Sequence, residues 1–110
     1  MNNVTLIGRL TKDAELFKIE NSKRSVLKFI LAVDKNFVNK NGEKRADFIS
    51  VSYFSGGAEK LQQYLKKGRL LGVNGKITTK SYTRDNIKKY YTNVEADTIQ
   101  FLEYKKETLA

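Results

Sequence analysis

The 110 residues contain no cysteine, no histidine and no proline. Lack of cysteine excludes a disulfide framework and a thiolate metal site. Lack of histidine removes the usual general base, the commonest metal ligand and every Ser/Cys–His nucleophile pair, so neither a metal nor a cofactor is expected. No apolar run approaches the roughly 18 residues of a membrane span, and the N-terminus lacks a basic-then-apolar signal pattern. A cytoplasmic location with no membrane partner is the expectation. Acidic residues are also scarce: 12 Asp and Glu face 21 Lys and Arg, for a formal net charge of +9. Such an excess bears on partners and not on fold, and nucleic acid is the commonest polyanion for a basic domain. No Lys/Arg-rich amphipathic helix is present to carry binding to an acidic membrane surface. The length corresponds to a single domain, residues 1–110, with a core large enough to fold alone.

Within this basic chain, cations and aromatics interleave. Lys35-Asn36-Phe37, Arg45-Ala46-Asp47-Phe48, Lys80-Ser81-Tyr82-Thr83-Arg84 and Lys88-Lys89-Tyr90-Tyr91 all place a ring within three residues of positive charge. A cation neutralises a phosphate, and a ring offers a face on which an unpaired base stacks. Paired bases hide their faces, so the combination points to single strands. Charged residues that solubilise the domain and aromatics that fill its core are the competing explanation for any one cluster.

The hydrophobic pattern is mostly of period two. In Asn2–Leu10, Val4, Leu6, Gly8 and Leu10 share one face and Thr5, Ile7 and Arg9 the other, which predicts a strand with Gly8 at a bulge or close backbone approach. A short piece, Phe17–Ile19, precedes a polar turn. A second strand over Val26–Val33 puts Leu27, Phe29, Leu31 and Val33 on one face. Asn39–Lys44 contains Asn41-Gly42 and reads as a hairpin loop. Strand three, about Arg45–Phe54, sets Ile49, Val51 and Tyr53 against Phe48, Ser50, Ser52 and Phe54. The spacing of Ala58, Leu61 and Leu65, ended by Lys66-Lys67-Gly68, predicts one helix of roughly three turns. Strand four, Leu70–Tyr82, turns Leu71, Val73, Gly75 and Ile77 inward and Asn74, Lys76, Thr78, Lys80 and Tyr82 outward. A loop over Thr83–Lys89 leads to strand five, Tyr90–Leu102, whose change of parity between Ala96 and Ile99 predicts a bulge near Asp97-Thr98.

Five strands with one helix between the third and fourth is the order of an all-β OB-fold barrel; a five-stranded sheet with a loose helix is the alternative. On either, the outward row Lys76, Lys80 and Tyr82 and the outward pair Phe48 and Phe54 form a face suited to an extended single strand. A subunit interface is the other reason to turn aromatics outward.

At these residues the chain resembles the bacterial-type single-stranded DNA-binding proteins. The similarity covers nearly the whole chain. It runs through Asn2-Asn3-Val4-Thr5-Leu6-Ile7-Gly8-Arg9-Leu10-Thr11-Lys12-Asp13-Ala14-Glu15, Phe29–Val33, Ala46–Ile49, Ala58-Glu59 with Tyr64–Gly68, Val73–Ile77 and Ser81-Tyr82. The pieces are short, but their order and spacing make the joint match specific. The resemblance implies base stacking on Phe37, Phe48, Phe54 and Tyr82, with Lys35, Arg45, Lys76, Lys80 and Arg84 following the phosphates. Phe37 is a point of conflict, because simple parity places it with Leu31 and Val33 in the core. The polar run Asp34-Lys35-Asn36 suggests a twist or bulge that would bring it to the binding face. The resemblance also implies sequence-nonspecific coating of single-stranded DNA in replication, recombination and repair, with no catalytic role.

Strand one is short of charge and carries outward Ile7, so Asn3, Val4, Thr5 and Ile7 are expected to meet a second copy across a two-fold. The resemblance implies a dimer there and a homotetramer of two such dimers. Members of the family carry a long tail with an acidic, Phe-ended tip. This chain stops at Glu107-Thr108-Leu109-Ala110, so tail-mediated recruitment of replication proteins is not expected from it. At the start of the helix, Ser55-Gly56-Gly57 is bare of the Trp and Lys that the family often carries there. Three other functions compete. A metal-dependent nuclease would need converging carboxylates, for which Glu95 and Asp97 on one strand face are a candidate pair. An RNA-binding OB-fold protein shares the stacking and phosphate chemistry, and a protein-interaction module would bind no nucleic acid.

Overall fold

The computed structural model describes residues 1–38 and 40–103, with Asn36, Phe37, Val38 and Lys44 described by backbone alone. The chain order is β1 (Val4–Leu10), β2 (Glu15–Lys18), β3 (Ser25–Val38), β4 (Lys44–Ser55), α1 (Ala58–Gln62), β5 (Leu70–Arg84) and β6 (Ile87–Phe101). All six strands belong to one sheet in the order β1-β5-β6-β4-β3-β2, and β1 also pairs with β3 through Arg9↔Ala32 and Leu10↔Leu31, which closes the ring. This is the OB barrel. The piece expected at Phe17–Ile19 is a sixth strand, β2, held along β3 from Glu15↔Lys28 to Lys18↔Ser25. The helix therefore falls between β4 and β5.

The inward faces fill the barrel as the alternation requires. Leu27, Leu31, Val51, Leu71 and Val73 are fully buried, and Leu65 joins them from the turn after α1. Burying each such side chain stabilises the fold by roughly 1.5–3 kcal/mol. Two glycines permit the closure. A Cβ on Gly8 would lie 2.3 Å from the carbonyl oxygen of Ala32, where β1 crosses β3. A Cβ on Gly75 would lie 2.1 Å from the carbonyl oxygen of Glu95. At that point the β5–β6 register slips from Asn74↔Thr98 to Gly75↔Ala96, so Asp97 is the extra residue of a bulge. The change of parity in the sequence has this cause. It also breaks the shared face expected of Glu95 and Asp97.

Three expectations need correction. The helix is only Ala58–Gln62, because the next turn tightens: Tyr64 N–H donates to Leu61 O and Leu65 N–H to Gln62 O. Leu65 then turns into the core, and its carbonyl accepts from Ala14 N–H at 2.9 Å instead of continuing the helix. The loop expected over Thr83–Lys89 is a two-residue turn. Asp85 and Asn86 have φ of 53° and 62°, and the ladder runs unbroken down to Arg84↔Ile87. Asp and Asn tolerate the left-handed region that a primed hairpin turn needs at both positions. Ile77, expected in the core, is 46% exposed. The β1–β5 ladder ends at Val4↔Gly75, so beyond Gly75 no β1 residue pairs with β5 to cover Ile77, although its partner on β6, Val94, is still buried in the core. The Asn2 carboxamide brackets Ile77 here, accepting from its N–H and donating to its carbonyl, both at 2.8 Å.

At the far end of β1, Arg9 Nη1 lies 2.8 Å from Glu103 Oε1, which also accepts from Leu70 N–H. The hydrogen bond from Arg9 leads the causes that hold the Glu103 carboxyl below its ordinary value.

Candidate nucleic-acid interface

Strand parity builds the site. Directly paired residues point to the same side of a sheet. Ser52 pairs with Glu95 across the parallel β4–β6 junction, and Glu95 pairs with Lys76 across β5–β6. Phe48 and Phe54 on β4, Asn93 and Tyr91 on β6, and Lys76, Lys80 and Tyr82 on β5 therefore share one outer face. Phe48 is 69% exposed and Tyr82 46%. Neither ring contributes to the core, and burying either against a base would remove apolar area from water.

The short turn at Asp85-Asn86 sets the hairpin register and sorts its residues. Lys80 faces Tyr91 and Tyr82 faces Lys89, so these four and Arg84 lie on the face of Phe48. The Tyr82 and Tyr91 rings pack at 6.1 Å between centroids, tilted by 55°. Tyr90 belongs to the opposite face, paired with Ser81, and carries the Lys88 ammonium 5.5 Å from its ring centre. The cluster Lys88–Tyr91, uniform in sequence, is thus split between two surfaces. Tyr91 is a member of the outer face that pattern reasoning missed; the two-residue turn was the available signal.

The cations differ in how free they are. Among the described residues, Lys76, Lys80, Arg84 and Arg45 have no ion-pair partner and stand exposed. Lys35, half-buried, is 2.6 Å from Asp47. Two positions of β4 also depart from expectation. Phe54 is half-buried, lying beside Val26 of β3, with Arg24 donating to its carbonyl at 3.3 Å. Ser52, expected outward and open, is buried, and its hydroxyl donates to Asn93 Oδ1 at 3.3 Å across the junction. The outer face is therefore a surface with a closed middle, flanked by exposed rings. The Phe37 side chain lies outside the described residues, but β3 does shift register between Asp34 and Val38, where the polar run suggested a bulge. Of the edge expected to meet another copy, Asn3, Thr5 and Ile7 are exposed, whereas Val4 packs against the core. The terminal segment Lys105–Ala110, on which the expectation about recruitment rests, lies outside the described residues. Among the described residues no group of three or more Asp or Glu could hold a metal ion.

A closed OB barrel with exposed rings and unpaired cations along one outer face is a module built for an extended polyanion carrying flat groups. The chain belongs to the single-strand binding protein family, whose model matches residues 1–102. It is 44% identical over 109 residues to single-stranded DNA-binding protein 2 of Clostridium acetobutylicum, covering 98% of this chain and 81% of that one. Single-stranded DNA-binding protein 1 of the same organism is 41% identical and covered over its full length, with 99% of this chain aligned. Among solved structures, a deletion mutant of the single-stranded DNA binding protein from Thermus aquaticus superposes with a TM-score of 0.76 at 28% identity. That match covers 96% of this chain and about half, 52%, of the Thermus chain. The Plasmodium falciparum SSB in complex with ssDNA has a TM-score of 0.80 over 94% of this chain at 21% identity, a likeness of fold.

Proposed function

We propose that this protein binds single-stranded DNA with little sequence preference, coating and protecting it during replication, recombination and repair without catalysing a reaction. The observation that carries the reading is the shared outer face of Phe48, Tyr82, Tyr91, Lys76 and Lys80, in which rings alternate with unpaired ammonium groups. Rings accept any base and ammonium groups accept any phosphate, so such a face reads no sequence. The names of the relatives favour DNA over RNA, and such a protein acts in the cytoplasm with the nucleoid. The test is fluorescence anisotropy with labelled oligo-dT, a duplex of equal length and oligo-U. Tight binding to dT and weak binding to duplex is expected. Equal affinity for duplex and single strand would overturn the reading.

The active unit in this proposal is a homotetramer built on dimers. The β1 ladder with β3 involves only Arg9 and Leu10, and the stretch from Val4 to Gly8 pairs with β5 alone. That edge, with Ile7 58% exposed, is an open template for a second copy. Sedimentation at micromolar concentration is expected to give a multiple of the chain mass, and a monomer would exclude the assembly.

A further inference from the structure

The outer face continues beyond Phe54 onto a strand that the binding reading does not use. Phe17↔Val26 in the β2–β3 ladder and Val26↔Phe54 in the β3–β4 ladder set Phe17, Val26 and Phe54 in one row across three strands. The pairing dictates the direction of Phe17: its neighbour Leu16 faces the fully buried Leu27, so Phe17 must turn outward. It is 45% exposed there, on the same side as Phe48, while Val26 between the rings is buried. The Lys28 ammonium lies 5.3 Å from the Phe17 ring centre. Beside them is an open hollow of about 200 Å³, lined by Lys12, Glu15, Phe17, Lys28, Ile30 and Ser50. Lys12 is 3.7 Å from Glu15, which leaves Lys28 as the cation of this patch without an ion pair among the described residues.

We infer that Phe17 is a further base-stacking position, with Lys28 as its phosphate partner, extending the single-strand path from Phe54 across β3 onto β2. The inference rests on the proposed binding of single-stranded DNA at the outer face. A ring with a cation beside it is the same kind of pairing that the β5–β6 ladder makes of Tyr82 with Lys89 and of Tyr91 with Lys80. Two interstrand spacings, roughly 10 Å, separate the Phe17 and Phe54 backbones, and Val26 supplies continuous apolar ground between them. When a base lands on the ring, the Lys28 ammonium is already within reach of the adjoining phosphate. Charge settles the choice of occupant: an apolar partner would leave Lys28 desolvated, whereas a nucleotide engages both groups.

The test is binding of labelled oligo-dT of increasing length by Phe17→Ala, Phe17→Leu, Phe17→Tyr and Lys28→Ala, with Phe48→Ala alongside. Phe17→Ala and Phe17→Leu should both weaken binding to the longer oligonucleotides, by about 5- to 150-fold, the loss of one stacked base. Phe17→Tyr should keep wild-type affinity, since it keeps the ring. Lys28→Ala should flatten the dependence of log K on log[salt]. Phe17→Leu retains apolar bulk and Phe17 is half in solvent, so a folding defect would show separately in the melting temperature. Wild-type affinity of Phe17→Ala at every length, with Phe48→Ala weakened, would overturn the inference and leave the outer-face reading standing. No loss in Phe48→Ala either would mean that the face itself is misassigned. A change of sedimentation mass in Phe17→Ala with unchanged affinity would make the patch a contact between copies and would also overturn it.

Discussion

The Lys35 ammonium lies 2.6 Å from the Asp47 carboxylate, bridging β3 and β4 one residue before the exposed Phe48 ring. A cation so placed cannot hold its carboxylate and a phosphate at full strength together. Asp47→Asn removes the competitor and one negative charge from the approach. Affinity for oligo-dT at low salt should rise, and the slope of log K against log[salt] should steepen by about 0.7 for a gained phosphate contact on a single strand. An unchanged slope would show that Lys35 takes no part in binding.

Gly75 marks the one point where β5 passes over a bulge in β6. With 2.1 Å between its would-be Cβ and the Glu95 carbonyl oxygen, backbone and not a flexible side chain would have to give way. Gly75→Ala is expected to destabilise the fold by about 1–3 kcal/mol, the usual range for overpacking, and to lower the denaturation midpoint in urea. Gly72→Ala is the control, because there only side-chain atoms of Leu102 come near, at 3.5 Å. Equal midpoints for the two variants would contradict the account of the bulge.

The Arg9–Glu103 contact gives stability a dependence on acid. Its hydrogen bond from Arg9 holds the folded carboxyl below the ordinary glutamate value. A group depressed in this way contributes stability that is fully present above the unfolded pKa and is lost as pH falls through the folded one. Wild type should therefore melt above Glu103→Gln at pH 7, and the gap should close below the ordinary carboxylate range. Both side chains are exposed, so the gap should also shrink in high salt. A gap that persisted at low pH would mean that the contact acts through packing and not charge.

Much of this architecture is legible in the sequence because strands write their burial with period two. Val51 and Phe48 fall on opposite faces by counting alone, and the parity break at Asp97 announces its own bulge. The features that escape are those set by partners distant in sequence. Ile77 has core parity, but the β1 ladder that flanks β5 ends at Gly75 and leaves it uncovered. Ser52 has outward parity, but the parallel β6 strand brings Asn93 over it. Leu65 has helical spacing, but Ala14 captures its carbonyl and ends the helix early. At the site, the polar composition of Thr83–Lys89 concealed a two-residue turn. Without that turn the register is undefined, and Tyr91 cannot be assigned to the face of Tyr82. The outward turn of Phe17 escaped because a strand of four residues is too short to display a period.

Stacking and phosphate contacts on the outer face should separate by salt. A ring releases no counterion when a base lands on it, whereas a lysine that neutralises a phosphate does. Phe48→Ala, Tyr82→Ala and Tyr91→Ala should each cost roughly 1–3 kcal/mol per stacked base while leaving the slope of log K against log[salt] nearly unchanged. Lys76→Ala and Lys80→Ala should weaken binding most at low salt and flatten the slope by about 0.7 per lost contact on a single strand. Because the Tyr82 and Tyr91 rings touch at 6.1 Å, their losses should not add: removing one ring unseats the other, so the double variant should cost less than the two single losses together. Additive losses would mean that the rings hold separate bases. Equal slope changes in Tyr82→Ala and Lys80→Ala would contradict the division of labour between ring and cation on this face.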